Sequence, residues 1–404
     1  MKISPFGIHG NCYNTRMSLH IDMPRLFLPI ALTVAGLVWL SCITNNRSSS
    51  QWHAFFGDGE EWFCDYRMPR ECAAAKNAYR PETIDAKDAC YPPFGYAILS
   101  PLPRDVRKGG LPFTSGATLV FLLSAFAFVW RVTDRNVPEA VSWLAAVSLS
   151  APLVTAFGVG NQVLLSAAGT LLFLTWQDDP SPFRRRSAVA ALAVAAALKV
   201  TPAVFALLLL KRRDFRGFLF CGLLGGSLTL LPFVCYGGIG GIVDFLSNLR
   251  LHSAYYGPRT TWGFVAIDRA MRIALQGDFL SLAQTYPLSR LASILLGLAC
   301  LFRFFRTHDG TLALTMLAGA ISLLPAPAQP YTALYLVPAM ISSARGTASF
   351  PELFSWFAVF CVLQLPVGHG SLNHALAGAV FTALVAAKAL LPSRQEDDDV
   401  VDDR

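Results

Sequence analysis

Eleven apolar runs divide this 404-residue chain, at about 26–43, 111–130, 138–157, 161–176, 188–210, 216–236, 289–305, 311–325, 331–344, 350–367 and 372–391. A bilayer crossing needs about 20 predominantly apolar residues, so the longer runs meet the requirement and the shorter ones approach it. In hydrocarbon each backbone polar group must be satisfied without water, which continuous apolar runs achieve as helices. The pattern predicts an all-α polytopic membrane protein. Composition agrees, with 54% hydrophobic and 15% charged residues, whereas soluble domains carry about 25% charged residues. An ordinary cytosolic enzyme and a disordered chain are both excluded. The net charge of +7 does not point to nucleic acid. The basic residues stand at the ends of apolar runs, where they report topology.

Those ends are Arg131 and Arg135, Arg184 to Arg186, Lys211 to Arg213, Arg303 and Arg306, Arg345, and Arg394. If all are cytoplasmic, the tail 1–25 is cytoplasmic as well, and the run after Arg25 is a retained signal-anchor. One run breaks the parity. Segment 188–210 has a basic cluster at both ends and reads Lys199-Val200-Thr201-Pro202 at its centre. A charge and a proline within an apolar run predict a broken helix that turns near Lys199 and returns. Counting its two arms separately gives about 12 membrane segments, some short or re-entrant. Two long polar segments, about 44–110 and 237–287, then face the non-cytoplasmic side. Both keep aromatic residues among their charges and are expected to fold as caps or interfacial helices. Residues 393–404 are an acidic tail, expected to be disordered and cytoplasmic.

Nine cysteines are present. Cys64, Cys72 and Cys90 share the first polar segment, and two of them can pair if it faces an oxidising compartment. No Cys-x-x-Cys pair occurs, so a zinc site is not expected.

Several places carry possible chemistry. Asp58, Glu60, Glu61 and Asp65 lie within eight residues, beside Trp62, Phe63 and Tyr66. A partly buried carboxylate there can act as general base on an alcohol, or the stretch is simply a solvated acidic loop. Tyr91-Pro92-Pro93 opens a short apolar stretch closed by Pro101 and Pro103, which suits an interfacial helix beneath a cap. Asn161 and Gln162 either hydrogen-bond a sugar hydroxyl or cap the following helix. Lys199 needs a partner or a wet cavity, and a phosphate would serve. The second polar segment holds His252, Tyr255, Tyr256, Arg259, Trp262, Asp268, Arg269 and Arg272. Its arginines offer forked donors for phosphate, and its aromatics stack on sugars or form an interfacial belt. Pro325, Pro327 and Pro330 precede Tyr331 in a rigid turn.

Taken in order, these patterns resemble the polyprenol-phosphate-mannose-dependent mannosyltransferases of glycosyltransferase family 87, within the GT-C superfamily. Asp65-Tyr66 is similar to an Asp-aromatic pair of that family. Tyr91-Pro92-Pro93 with Pro101-Leu102 resembles its Tyr-Pro-Pro stretch. Leu198-Lys199-Val200-Thr201-Pro202, followed by Lys211-Arg212-Arg213, resembles its Lys-x-Thr-Pro segment. Pro325 and Tyr331 resemble the ends of a late Pro-x5-Tyr motif, although Ala328 and Pro330 stand where a Trp and a His are usual. Asn161-Gln162 falls where an Asn often begins a span.

The resemblance implies that 26–392 is a GT-C-like transmembrane domain in a bacterial plasma membrane, with its active site facing outward. It implies a polyprenyl-phosphate-linked sugar donor, a glycan or glycolipid acceptor, membrane lipid as surroundings, and no cofactor, nucleotide or obligatory metal, with which the lack of a carboxylate–histidine cluster of ligand spacing agrees. Asp65, or Asp58 in second place, would be the general base of an inverting displacement. Lys199, with Arg259 and Arg269, would hold the donor phosphate. Tyr91, Asn161, Gln162, Trp262 and Tyr331 would contact sugar or acceptor. A polytopic transporter or lipid-linked-sugar flippase shares broken helices and buried charges. A non-catalytic scaffold shares the composition, but would tolerate loss of Asp58 and Asp65.

Overall fold

A computed structural model describes residues 23–45, 63–75, 77–82, 84–275, 282–325, 329–346, 349–362 and 370–391. All regular structure among them is helical. The α-helices are α1 (Met23–Asn45), α2 (Cys64–Cys72), α3 (Pro93–Leu99), α4 (Leu111–Val132), α5 (Val137–Ser148), α6 (Ala151–Gly158), α7 (Val163–Trp176) and α8 (Pro182–Leu198). There follow α9 (Leu207–Lys211), α10 (Phe215–Leu230), α11 (Gly238–Tyr256), α12 (Phe264–Leu275), α13 (Leu282–Arg306), α14 (Gly310–Leu323), α15 (Val337–Arg345), α16 (Phe350–Val362) and α17 (Gly370–Leu390). Short 3-10 turns, among them Thr201–Ala206 and Pro330–Leu336, join some of these.

Three stretches among the described residues are long and apolar enough to cross a membrane: Val106–Val132, Phe215–Val234 and Thr285–Arg306. The pair α5 and α6, bent by 48°, would make a fourth. On the three long stretches Leu119, Leu123, Leu219, Leu223, Leu291 and Leu295 are each more than half exposed. That arrangement is costly in water and natural against lipid. The described helices therefore give fewer full-length crossings than the dozen segments expected. Prolines and polar residues cut several apolar runs into shorter helices, such as α7 and α14 with 14 residues each. A helix of that length reaches only about 21 Å.

The run 188–210 is broken where the sequence predicts. Helix α8 stops at Leu198, Lys199 is extended at φ −144° and ψ 124°, and a 3-10 turn with Pro202 near its start begins the return. The return ends where the run began, because Arg212 forms an ion pair with Asp178 just before α8. Lys211 donates to the carbonyls of Phe304 and Thr307, and Arg131 donates to the carbonyl of Thr175. Arg345 pairs with Asp134 at 3.1 Å and with Glu139 at 3.0 Å. The basic ends of separate runs thus gather on one end of the bundle.

The two long polar segments meet at the opposite end and fold on each other. Asn248 of α11 donates to the carbonyls of Tyr79 at 2.7 Å and Ala89 at 3.0 Å. Arg80 pairs with Asp244 at 2.6 Å, and the Tyr256 hydroxyl donates to Asp88 at 2.9 Å. The Tyr79 ring packs against Tyr96, Phe233 and Phe245, with centroids 5.4 to 5.6 Å apart. The expected cap is a folded, aromatic-cored layer.

Helix α7 is buried along nearly its whole length. It approaches α8 closely. A Cβ placed on Gly169 would lie 2.6 Å from the Ala191 carbonyl oxygen and 3.0 Å from the Ala195 Cβ. Small residues at such contacts let helix backbones pack by dispersion where lipid supplies no hydrophobic drive. Gly169→Val should therefore separate the two helices and destabilise the fold by about 1–3 kcal/mol. The check is a lower apparent melting temperature of the detergent-solubilised protein than for the wild type.

Candidate active site

The site lies between the cap and the bundle, at the end away from the basic clusters. Asp65 stands in the first turn of α2, where the helix N-terminus favours negative charge. Two backbone hydrogen bonds fix this turn onto the end of α6, from Phe63 N to the Gly158 carbonyl at 3.0 Å and from Asp65 N to that of Val159 at 2.9 Å. The turn can approach only because residue 160 is glycine. Gly160 has φ +70°, and a Cβ there would lie 2.9 Å from the Phe63 ring and 3.0 Å from the Tyr66 Cβ.

Asn161 follows and does two things. Its side-chain oxygen accepts from Val163 N at 2.8 Å, which starts α7. Its amide donates to Asp65 Oδ2 at 2.5 Å. The sequence leaves capping and sugar contact open for Asn161; the structure shows it capping and orienting a carboxylate. Gln162 is engaged differently. It donates to the Gly95 carbonyl at 3.3 Å and is fully buried against α3.

Lys199 reaches the site from the break after α8. Its ammonium sits over the Tyr91 ring, 4.1 Å from the centroid, and is electrostatically coupled to Asp65. Among the described residues it has no ion pair within 4.0 Å. Tyr331, in the 3-10 turn Pro330–Leu336, closes the circle beside Asn161 and in the electrostatic field of Asp65. Lys199, Thr201, His252, Gln329, Tyr331, Thr332, Tyr335 and Val163 line a half-enclosed cavity of about 110 Å³. Asp65 lies one hydrogen-bonded residue away from that lining, through Asn161.

Five of the expected residues thus come together: Asp65, Tyr91, Asn161, Lys199 and Tyr331. Trp262 stands behind the cavity wall instead of on it. It is buried against Phe381, and its indole N–H donates to Thr332 Oγ1 at 2.8 Å. Arg259 and Arg269 do not line the cavity. Arg259 lies over the exposed Tyr255 ring at 4.9 Å, and Arg269 on α12 is in its electrostatic field. Asp58 lies outside the described residues. His252 entered the sequence reading only as one of several candidates in its loop, and its place on the cavity follows from the docking of α11. Among the described residues no group of three or more metal-ligating side chains occurs.

The family model for glycosyltransferase family 87 matches residues 89–327, more than half of the chain. The match includes Tyr91, Asn161, Lys199 and His252; Tyr331 lies just beyond its end, and Asp65 lies well before its start. No curated protein and no solved structure matches the chain.

The three cap cysteines are free thiols. Burial pushes both the Cys72 and the Cys90 thiol up to about 12. A raised thiol pKa leaves the group protonated and unreactive at neutral pH. Maleimide at pH 7.5 should therefore spare Cys72 and Cys90 in the folded protein and label both after denaturation, as read by peptide mass spectrometry.

Proposed function

This chain belongs to glycosyltransferase family 87, and from that membership we propose that it transfers mannose from a polyprenyl-phosphate donor to the hydroxyl of a glycan or glycolipid acceptor. The observation that carries this reading is a positioned carboxylate held one residue away from a cavity that is lined by a lysine with no ion pair among the described residues. The donor's chain would lie in the bilayer and its phosphate near Lys199. By the positive-inside rule the basic end of the bundle faces the cytoplasm, so the site faces outward. The reading implies a bacterial plasma membrane with the acceptor in the cell envelope.

In this mechanism Asn161 holds Asp65 Oδ2, which leaves Oδ1 for the acceptor. Asp65 takes the proton of the acceptor hydroxyl as that oxygen bonds to the anomeric carbon. The bond from the anomeric carbon to the phosphate oxygen breaks in the same step, and the configuration inverts. Polyprenyl phosphate leaves with the electron pair, and Lys199 meets the charge that develops there. Tyr91 keeps the ammonium in place through its ring, and Tyr331 lines the sugar side. Trp262 acts through Thr332, and Gln162 through α3, as positioning residues. Arg259 and Arg269 serve the approach of the lipid phosphate. Asp58 stands in reserve as the second candidate base.

The test is transfer from synthetic polyprenyl-phosphate mannose to an endogenous lipid extract by the purified protein. Asp65→Asn should lower turnover by about 10²- to 10⁴-fold with folding intact. Asn161→Ala should leave KM nearly unchanged and lower kcat on the order of 100-fold, since it misplaces the base without touching the donor. Full activity of Asp65→Asn would remove it as the base, and loss confined to Asp58→Asn would transfer that role.

A further inference from the structure

His252 is the one histidine among the described residues that line the Lys199 cavity, and the mechanism above does not use it. Its ring is fixed on both sides. Nδ1 lies 2.8 Å from the carbonyl oxygen of Lys87, and Tyr256 packs beside it with centroids 4.7 Å apart. A carbonyl oxygen only accepts, so Nδ1 carries the hydrogen in this contact. In the neutral ring Nε2 is then a bare acceptor. No hydrogen bond to Nε2 occurs among the described residues.

Two physical facts decide what Nε2 can bind. Burial is the largest influence on the ring and, with the nearby Lys199 charge, lowers its pKa from 6.5 against the opposing pull of the Lys87 carbonyl, Asp88 and Asp65. The ring is therefore neutral at pH 7. A bare nitrogen and a phosphate oxygen are both acceptors and repel, so the partner must be a donor. Two neighbouring hydroxyls are already committed: Thr332 donates to the Gln329 carbonyl at 2.6 Å, and Tyr335 to Ser166 Oγ at 2.9 Å. Lys199 offers donors to an anion, and His252 offers an acceptor to a hydroxyl, in the same cavity.

We propose that His252 Nε2 accepts a hydrogen bond from one hydroxyl of the donor sugar and so helps set which sugar is transferred. The inference rests on the reading of the Lys199 cavity as the donor site. It makes His252 a specificity-determining residue whose tautomer is set by the cap through the Lys87 carbonyl.

The experiment compares wild type, His252→Phe and His252→Gln as full-length proteins. The donors are polyprenyl-phosphate mannose and its monodeoxy analogues, one for each free hydroxyl. In wild type one analogue should lose on the order of 10- to 100-fold in kcat/KM, because its absence leaves Nε2 unpaired. His252→Phe should lose a similar factor on the parent donor and no longer distinguish that analogue. His252→Gln, which keeps an acceptor near the Nε2 position, should recover part of the discrimination. If His252→Phe does not fold, the comparison of wild type with His252→Gln carries the test, with the preference for that hydroxyl reduced. An analogue profile unchanged by either substitution overturns the role of His252 while leaving the enzyme reading in place. Failure of wild type on every mannosyl donor overturns the mannosyl-donor reading instead, and this assignment with it.

Discussion

A lysine cannot lie unpaired in hydrocarbon, and a proline three residues later cannot continue a helix. Together Lys199 and Pro202 end α8, turn the chain, and send it back until Arg212 meets Asp178. Much of the site follows from that turn. It presents the ammonium to the boundary beside Tyr91, and it places Thr201 on the same cavity. It also lets the described basic clusters share one end of the bundle, which a straight crossing would not allow.

The second constraint is the seam between cap and bundle, centred on Asn161. This residue starts α7 and holds Asp65 with its remaining amide. Its neighbours serve the same seam: Gly160 admits the Phe63 and Tyr66 side chains, and Gln162 ties α3 to the bundle. The candidate site is thus a contact between layers, with a carboxylate from the cap and a lysine from the bundle. Such a site needs no long-range rearrangement of charge, because each ionic group already has an oriented neighbour before substrate arrives.

Local signals were legible where a single residue type had a strong physical preference. Pro92-Pro93 and Pro101 bound α3, a helix of seven residues, as short as the proline spacing suggests. The break at Lys199 fell where charge and proline coincide. The cap was legible only as a class, because aromatic residues among charges say that a segment folds and not against what. Asn161 and Trp262 show the same limit. An amide at a boundary suits capping or ligand binding equally, and the deciding neighbour, Asp65, is far away in the chain. A tryptophan in a polar segment suits sugar stacking, yet Trp262 meets Phe381 from a late helix and turns inward.

The sequence by itself determined the helical membrane class, the broken segment and the residue types available for chemistry. These depend on backbone sterics, desolvation and apolar length, which act over a few residues. Only the tertiary structure decided that Asn161 orients Asp65, that Trp262 supports Thr332, that Arg259 and Arg269 stand off the cavity, and that His252 faces Lys199. Those outcomes depend on which distant surfaces dock, and docking is set by summed packing across many small contacts that no local pattern encodes.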